Sequence, residues 1–357
     1  MESTRASSSA RLMSLMPASR ALLYCAGGGI GDSLVASLVG RALHRRFERV
    51  DALTLGAHRA LLERVPDLDS VMVDEGGDER ALAGRLAQNG YEACVVTWAT
   101  PRTARIPQLA AIPVRVGQAR RFYSFRFTHR VVVRSEQGDV TSHWSEILLD
   151  FARAIGCDTD DRQYRVVPTP QDEHEAEELT RGSGRFIILN PCNAVASLRG
   201  IWPPQGWAAL AQALAQRFAM RVFVSGSPAD APITEGITRL ALSGLQRGTA
   251  ADEPIVSLAG KTSVGGFAAL ARRAQAFVGI TTGSMHVAAA VGCPTVGIFP
   301  FQSDFPERWS PLGARTAVVR ASYPCHRGDT KEKCADYACI AHLDLPRILA
   351  ATEALVA

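Results

Sequence analysis

Short apolar runs that alternate with amphipathic segments, in two successive series along one chain, are what most restrict the fold. The first series gives "ALLYCA", a helix predicted from Asp32 to Phe47, "VDALTLGA", a helix around "RALLERV", "SVMVDE", a helix around "RALAGRLAQNG", and "ACVVTW". This order is the mark of parallel strands joined by crossover helices. "HWSEILLDFARAIG" repeats its apolar positions at three- and four-residue spacing and stops at Gly156, so it reads as a further helix.

The polar tract "PTPQDEHEAEELTRGSG" interrupts the pattern, which then restarts with "FIILNP", "RVFVSGSP", "IVSLAG", "AFVGI" and "PTVGIFP", each separated from the next by a helical segment. A chain of 357 residues exceeds one hydrophobic core. The fold expected is therefore α/β, with two doubly wound Rossmann-like domains over residues 1–168 and 169–357. The closing "LDLPRILAATEALVA" reads as a terminal helix, free to pack back on the N-terminal domain. Two such domains facing across a cleft place ligands at the carboxyl ends of their strands.

A net charge of +4, with both signs mixed along the chain, argues against a nucleic-acid partner. No apolar run approaches the ~20 residues that span a bilayer. "MESTRASSSARLMSLMPASR" lacks the continuous apolar core of a signal peptide, so a cytoplasmic protein is expected.

"CAGGGIGD" follows the first strand. A dinucleotide fingerprint needs glycine at the sixth place from Gly27, and that place is Asp32. Nor does the next strand end in the acidic residue that would bind a ribose. Two readings of Asp32 stand. It caps a helix, as Asp favours that position, or it is a catalytic base, with the glycines clearing space for a bulky ligand.

The most specific pattern is "SLAGKTSVGGFAALARRAQAFVGITTGSMHVAAAVGCPTVGIFP" at 257–300. With "ERWSPLG", "GSPAD", "RGIWPPQGWAAL", "SHWSEILLDFARAIG" and "GGGIGDSLVASLVGRAL" in collinear order, it resembles the bacterial heptosyltransferases of glycosyltransferase family 9, over nearly the whole chain. The resemblance implies a GT-B fold, an acceptor-binding first domain and a second domain that binds a nucleotide sugar, most simply ADP-heptose. It implies Asp32 as the general base, with Gly31 beside it on the acceptor side.

On the donor side the resemblance points to Asn193, Arg199, Asp230, Lys261, Thr262, Thr281, Thr282, Gly283 and His286. Thr282 and Gly283 open a helix whose free N–H groups and dipole suit a diphosphate. His286 in its first turn is either a phosphate or sugar-hydroxyl donor or a satisfied helix-start histidine. Asp230 has an N-cap reading of its own. Two departures stand out: Gly200, preceded by Arg199, occupies the family's lysine place, and Thr281 stands where the family has Asp.

"VRVGQARRFYSFRFTHRVVVR" at 114–134 concentrates arginines and aromatics. It is either a solvated basic face or, through Arg120 and Arg121, a patch that holds an anionic saccharide or glycolipid acceptor and touches the inner face of an anionic membrane. Cys325, Cys334 and Cys339, with nearby histidines, leave a structural Zn or Fe open. Free thiols in a reducing cytoplasm are favoured over it, and no cofactor is expected for catalysis.

The function expected is inverting transfer of a heptose or related sugar to a saccharide such as the lipopolysaccharide core. Transfer of another nucleotide sugar, a protein or small-molecule acceptor, and a non-catalytic nucleotide-sugar binder are the alternatives.

Overall fold

A computed structural model describes residues 19–192, 202–245, 254–301, 305–324, 334 and 338–356. Two sheets of six parallel strands organise it. The first contains β1 (Arg20–Tyr24), β2 (Arg49–Thr54), β3 (Ser70–Val73), β4 (Ala93–Val96), β5 (Val114–Gln118) and β6 (His129–Val131), in the order β3-β2-β1-β4-β5-β6. The second contains β7 (Phe186–Asn190), β8 (Arg221–Val224), β9 (Ile255–Ser257), β10 (Ala276–Ile280), β11 (Thr295–Phe299) and β12 (Thr316–Arg320), in the order β12-β11-β10-β7-β8-β9.

Strand order reverses between β1 and β4 in one sheet and between β7 and β10 in the other. Those are the crevices where open α/β sheets hold ligands.

The central strands are apolar along their whole length because helices cover both of their faces. Leu23 of β1 lies in register between Ala52 and Val95 and is fully buried. Helix Ile30–Leu43 buries Leu34, Val35, Leu38 and Val39 against it. In the second unit Trp207, Leu210 and Leu214 of helix Pro204–Phe218 cover Ile187 and Val222.

The terminal helix, Leu345–Val356, packs on β10, β11 and β12, with Ile348 buried in the core of the second sheet. Leu345, Leu349 and Leu355 of this helix pack against the same core. Sequence reading missed β6, a three-residue edge strand inside the basic stretch.

The two units touch at several points. Trp144 stacks on Trp309, with centroids 5.5 Å apart and planes at 28°. His143 Nε2–H donates to the Ser310 carbonyl at 3.0 Å, while its Nδ1 accepts from the Ser145 N–H, so its partners fix the neutral tautomer. Arg64, after the second helix of the first unit, makes a two-pronged bond to Asp172 at 2.6 Å on each arm. The stretches "HWSE" and "RWSP", which stand out in the sequence, are thus spent largely on each other.

Candidate functional site

Between β1 and helix Ile30–Leu43 the chain turns through Gly27, Gly28 and Gly29. The first two of these glycines make room for something specific. At Gly27 an added Cβ would lie 2.1 Å from the Trp98 indole. Gly28 has φ +69°, a left-handed conformation that favours glycine, and its Cβ would lie 2.7 Å from the Asp32 carboxyl carbon. The space expected for a ligand at Gly27 and Gly28 is therefore occupied by the protein's own Trp98 and Asp32.

Because the helix begins at Ile30, two residues before the start predicted from sequence, Asp32 is its third residue and Gly29 is the N-cap. Asp32 Oδ2 accepts the Gly29 N–H at 2.7 Å. That is the returning half of a capping box; glycine has no side chain to supply the other half. Oδ1 accepts no hydrogen bond from another described residue. Burial pushes the Asp32 carboxyl above its ordinary range, and backbone N–H bonds and the nearby His58 pull it partly back.

The opposite wall is the turn after β10. Thr281 N–H donates to the Ile298 carbonyl at 2.9 Å. Thr282 is the N-cap of helix Gly283–Ala290, yet its side chain does not cap, and its Oγ1 is buried without a partner among the described residues. His286 in the same turn is 4% exposed, and its Nδ1 is also buried and unpartnered. Burial, with His143 adding to it, drives the His286 imidazole down to about 3, so it is neutral at physiological pH. Its ring meets Tyr164 edge-on at 5.9 Å.

The two helix starts touch. A Cβ on Gly31 would lie 3.2 Å from Gly283 Cα and 3.3 Å from His286 Cδ2. A Cβ on Gly283 would lie 2.4 Å from Ile30 Cγ2. Glycine at both positions lets the helix that carries Asp32 and the helix with orphaned N-terminal donors approach backbone to backbone.

A third wall is the carboxyl end of β7 and β8. Asn190, buried, donates through Nδ2 to Ser225 Oγ at 2.9 Å and leaves Oδ1 unpartnered. Asp230 holds the N-cap position of helix Ala231–Ser243, but its carboxylate turns back to Ser227, accepting from N at 2.8 Å and Oγ at 2.6 Å. Burial first, then Asp230, pushes the Cys192 thiol up to about 12. Lys261 is exposed and Thr262 half-buried, on a loop whose Gly260 is pressed against Pro228. Asn193 and Arg199 lie outside the described residues.

In the first unit a cavity of about 360 Å³ opens at the carboxyl ends of β1 to β4, lined by Ala26, Leu55, Asp74, Glu75, Thr100 and Arg102. Arg102 is held by Asp74 through Nη2 at 2.6 Å. Most of the basic stretch is engaged. Arg121 pairs with Glu136 at 2.6 Å, Arg134 with Asp150 at 2.6 Å, and Arg115 donates to the carbonyls of Arg126 and Ile112. The Arg120 guanidinium has no partner among the described residues, and Phe122 and Phe125 of the same stretch are 81% and 61% exposed.

Cys325 lies outside the described residues. Cys339 is buried in the second core, and among the described residues no three metal-ligating side chains gather. No helix among the described residues is long and apolar enough to cross a membrane.

Sequence reading missed Trp98, His58, Asn190 and Tyr164. Only Asn190 carried a signal, a polar residue closing the apolar strand "FIILN".

The sequence model of glycosyltransferase family 9 (heptosyltransferase) matches residues 79–338. A lipooligosaccharide heptosyltransferase 2 of Haemophilus influenzae is 32% identical over 82% of this chain and 86% of its own length. The solved ADP-heptose lipopolysaccharide heptosyltransferase II of Escherichia coli superposes with a TM-score of 0.75 at 21% identity, covering 94% of this chain and 98% of the other. The Escherichia coli heptosyltransferase WaaC with ADP gives 0.69 at 16%, covering 94% and 99%. These two structural likenesses establish the GT-B fold. The family model spans well over half of the chain, and together with the Haemophilus relative it shows that the chain belongs to glycosyltransferase family 9.

Proposed function

We propose that this protein is an inverting glycosyltransferase that moves heptose from ADP-heptose to a hydroxyl of the lipopolysaccharide inner core. Residues 1–168 are the acceptor-binding half and residues 169–357 the donor-binding half. The observation that carries the reading is the contact of Gly31 with Gly283, which sets the Asp32 carboxylate beside an anion-binding helix start with two unpartnered polar atoms, Thr282 Oγ1 and His286 Nδ1. The names of the curated relative and of the ADP-bound neighbour support the donor.

In the reaction, Asp32 Oδ1 takes the proton of the acceptor hydroxyl as that oxygen bonds to the anomeric carbon. The bond to the ADP oxygen breaks on the opposite face and the configuration inverts. The N–H groups opening helix Gly283–Ala290 offset the charge that develops on the leaving diphosphate. His286, kept neutral by burial, serves as a hydrogen-bonding group and not as a cation. Asn190, Asp230, Lys261 and Thr262 border the nucleotide, and Asn193 and Arg199 are assigned there from the resemblance.

The acceptor enters over the cavity at Asp74 and Arg102. Arg120, with Phe122 and Phe125, faces the anionic glycolipid or the membrane surface that carries it. Sedimentation with anionic and zwitterionic vesicles tests that face, since only the anionic set should retain the protein.

The test of the whole reading is Asp32→Ala. Calorimetry should find ADP-heptose binding retained, while transfer to deep-rough lipopolysaccharide falls by ~10²–10⁴. Near-normal turnover would reduce Asp32 to a capping residue. Thr281, in place of the family's Asp, favours a second reading in which another nucleotide sugar is the donor. A thermal-shift panel of ADP-, UDP- and GDP-sugars separates the two.

A further inference from the structure

His58 lies in the first turn of helix Gly56–Leu62, after β2, and is 6% exposed. Its Nδ1 is 2.8 Å from the hydroxyl of Ser33, the residue that follows Asp32. Ser33 Oγ is in turn 3.3 Å from the carbonyl of Cys25, two residues before the glycine run. The same carbonyl accepts from Thr54 Oγ1 at 3.2 Å. The glycine turn is thus tied at both ends, by Cys25 at its entry and Ser33 at its exit, and His58 is the buried group that holds the tie.

Inside the turn the backbone bonds are local, from the Asp32 and Ser33 N–H groups to the Gly29 carbonyl; His58 ties its exit to a different element, the helix after β2. Three consecutive glycines have the widest backbone freedom of any residues. The Asp32 carboxylate has one fixed point of its own, the Gly29 N–H inside the same turn. A base must stand within hydrogen-bond reach of the proton it abstracts, and displacement by about 1 Å costs on the order of 10²-fold in rate.

We propose that His58 is a positioning residue for Asp32, acting through Ser33 to hold the glycine turn in the one geometry that presents Oδ1 to the acceptor. The inference rests on the reading of Asp32 as the base. His58 touches neither donor nor acceptor, so its loss is felt in turnover and not in nucleotide binding.

The experiment compares His58→Leu, His58→Asn, Ser33→Ala and the His58→Leu/Ser33→Ala double variant, using ADP-heptose, deep-rough lipopolysaccharide and ADP calorimetry. Leu fills the space without the hydrogen bond, whereas the Asn amide reaches the place of Nδ1. Expected is a fall in kcat of about 10- to 100-fold for His58→Leu and Ser33→Ala, with ADP affinity unchanged. The double variant should be no worse than Ser33→Ala alone, because removing the Ser33 hydroxyl already removes the one bond His58 makes to the turn. His58→Asn should recover most of the lost rate.

Turnover within about twofold of the parent in Ser33→Ala or His58→Leu overturns the proposal. So do losses that multiply in the double variant, or ADP affinity that falls with the rate. If His58→Leu does not fold, Ser33→Ala and His58→Asn still decide. Asp32→Asn run in parallel separates the two ideas: full activity there removes the base and this role with it. Loss there, beside normal rates in Ser33→Ala, removes this role alone.

Discussion

Replacing Gly283 by alanine tests the contact on which the site is built. Gly283 has no left-handed φ, so alanine brings no backbone strain, and at a helix start it is the better helix former by up to about 1 kcal/mol. Its Cβ would stand 2.4 Å from Ile30 Cγ2 and 3.2 Å from Gly31 N. Carbon atoms settle at roughly 3.5–4.0 Å. The helix starts must therefore separate by about 1 Å, because a branched isoleucine side chain is stiff and the second neighbour is backbone.

Overpacking of this kind costs about 1–3 kcal/mol, which the gain in helix propensity partly offsets, so Tm should drop by only a few degrees. The rate should suffer more. A gap of about 1 Å between Asp32 and the diphosphate site is worth on the order of 10²-fold, or roughly 2.7 kcal/mol of barrier. Transfer kinetics and ADP calorimetry on the folded variant measure this. If Gly283→Ala raises Tm and leaves kcat unchanged, propensity alone decides and the contact does not set the reacting geometry. Gly31→Ala, whose nearest neighbours lie at 3.2 and 3.3 Å, should show the same pattern more weakly.

Other outcomes follow from the charges. Burial raises the Asp32 carboxyl, so the acid limb of kcat/KM should lie above the ordinary range near 3.9, and a limb at or below it would contradict the burial. A raised carboxyl loses stability as pH rises through its folded pKa, so Asp32→Asn should melt higher than the parent at neutral pH. His286, at about 3 when folded, and His58 and His143, also lowered by burial, take up protons more readily in the unfolded chain. Stability should fall as pH drops below about 6.5, by at most ~1.4 kcal/mol per pH unit for each, and His286→Phe should flatten the melting curve against pH. Arg64→Ala leaves Asp172, with its side chain 3% exposed, without its ionic partner and held only by the Thr169 N–H and hydroxyl at 2.7 Å each. The expected loss is about 3–5 kcal/mol by denaturant unfolding, and a loss under about 1 would mean the pair is dispensable.

The sequence carried the two sheets because strands buried on both faces must be apolar throughout, and "FIILN" or "AFVGI" between amphipathic segments has few other uses. It also carried the helix start at Thr282, since Thr-Gly after a strand is a local signal. What it could not carry is tertiary. That Arg121 and Arg134 are bound to Glu136 and Asp150 depends on how β5, β6 and the following helix lie together. That Gly27 clears Trp98 depends on β4 lying beside β1. Asp32 was legible as chemistry but not as the third residue of its helix, because glycine at the N-cap leaves no side-chain mark of where the helix begins. His58 gave no signal at all: a histidine within "GAHRALLERV" has the same appearance on an exposed helix.

The stack of Trp144 on Trp309 has a consequence for anyone recombining such enzymes. One ring comes from the first half of the chain and the other from the second, and His143 and Ser310 join the same halves. A chimera that takes its acceptor half from one relative and its donor half from another inherits unrelated halves of this joint, however well each half folds. Exchanging acceptor specificity by swapping halves should therefore succeed only when residues 143–144 and 308–310 travel together.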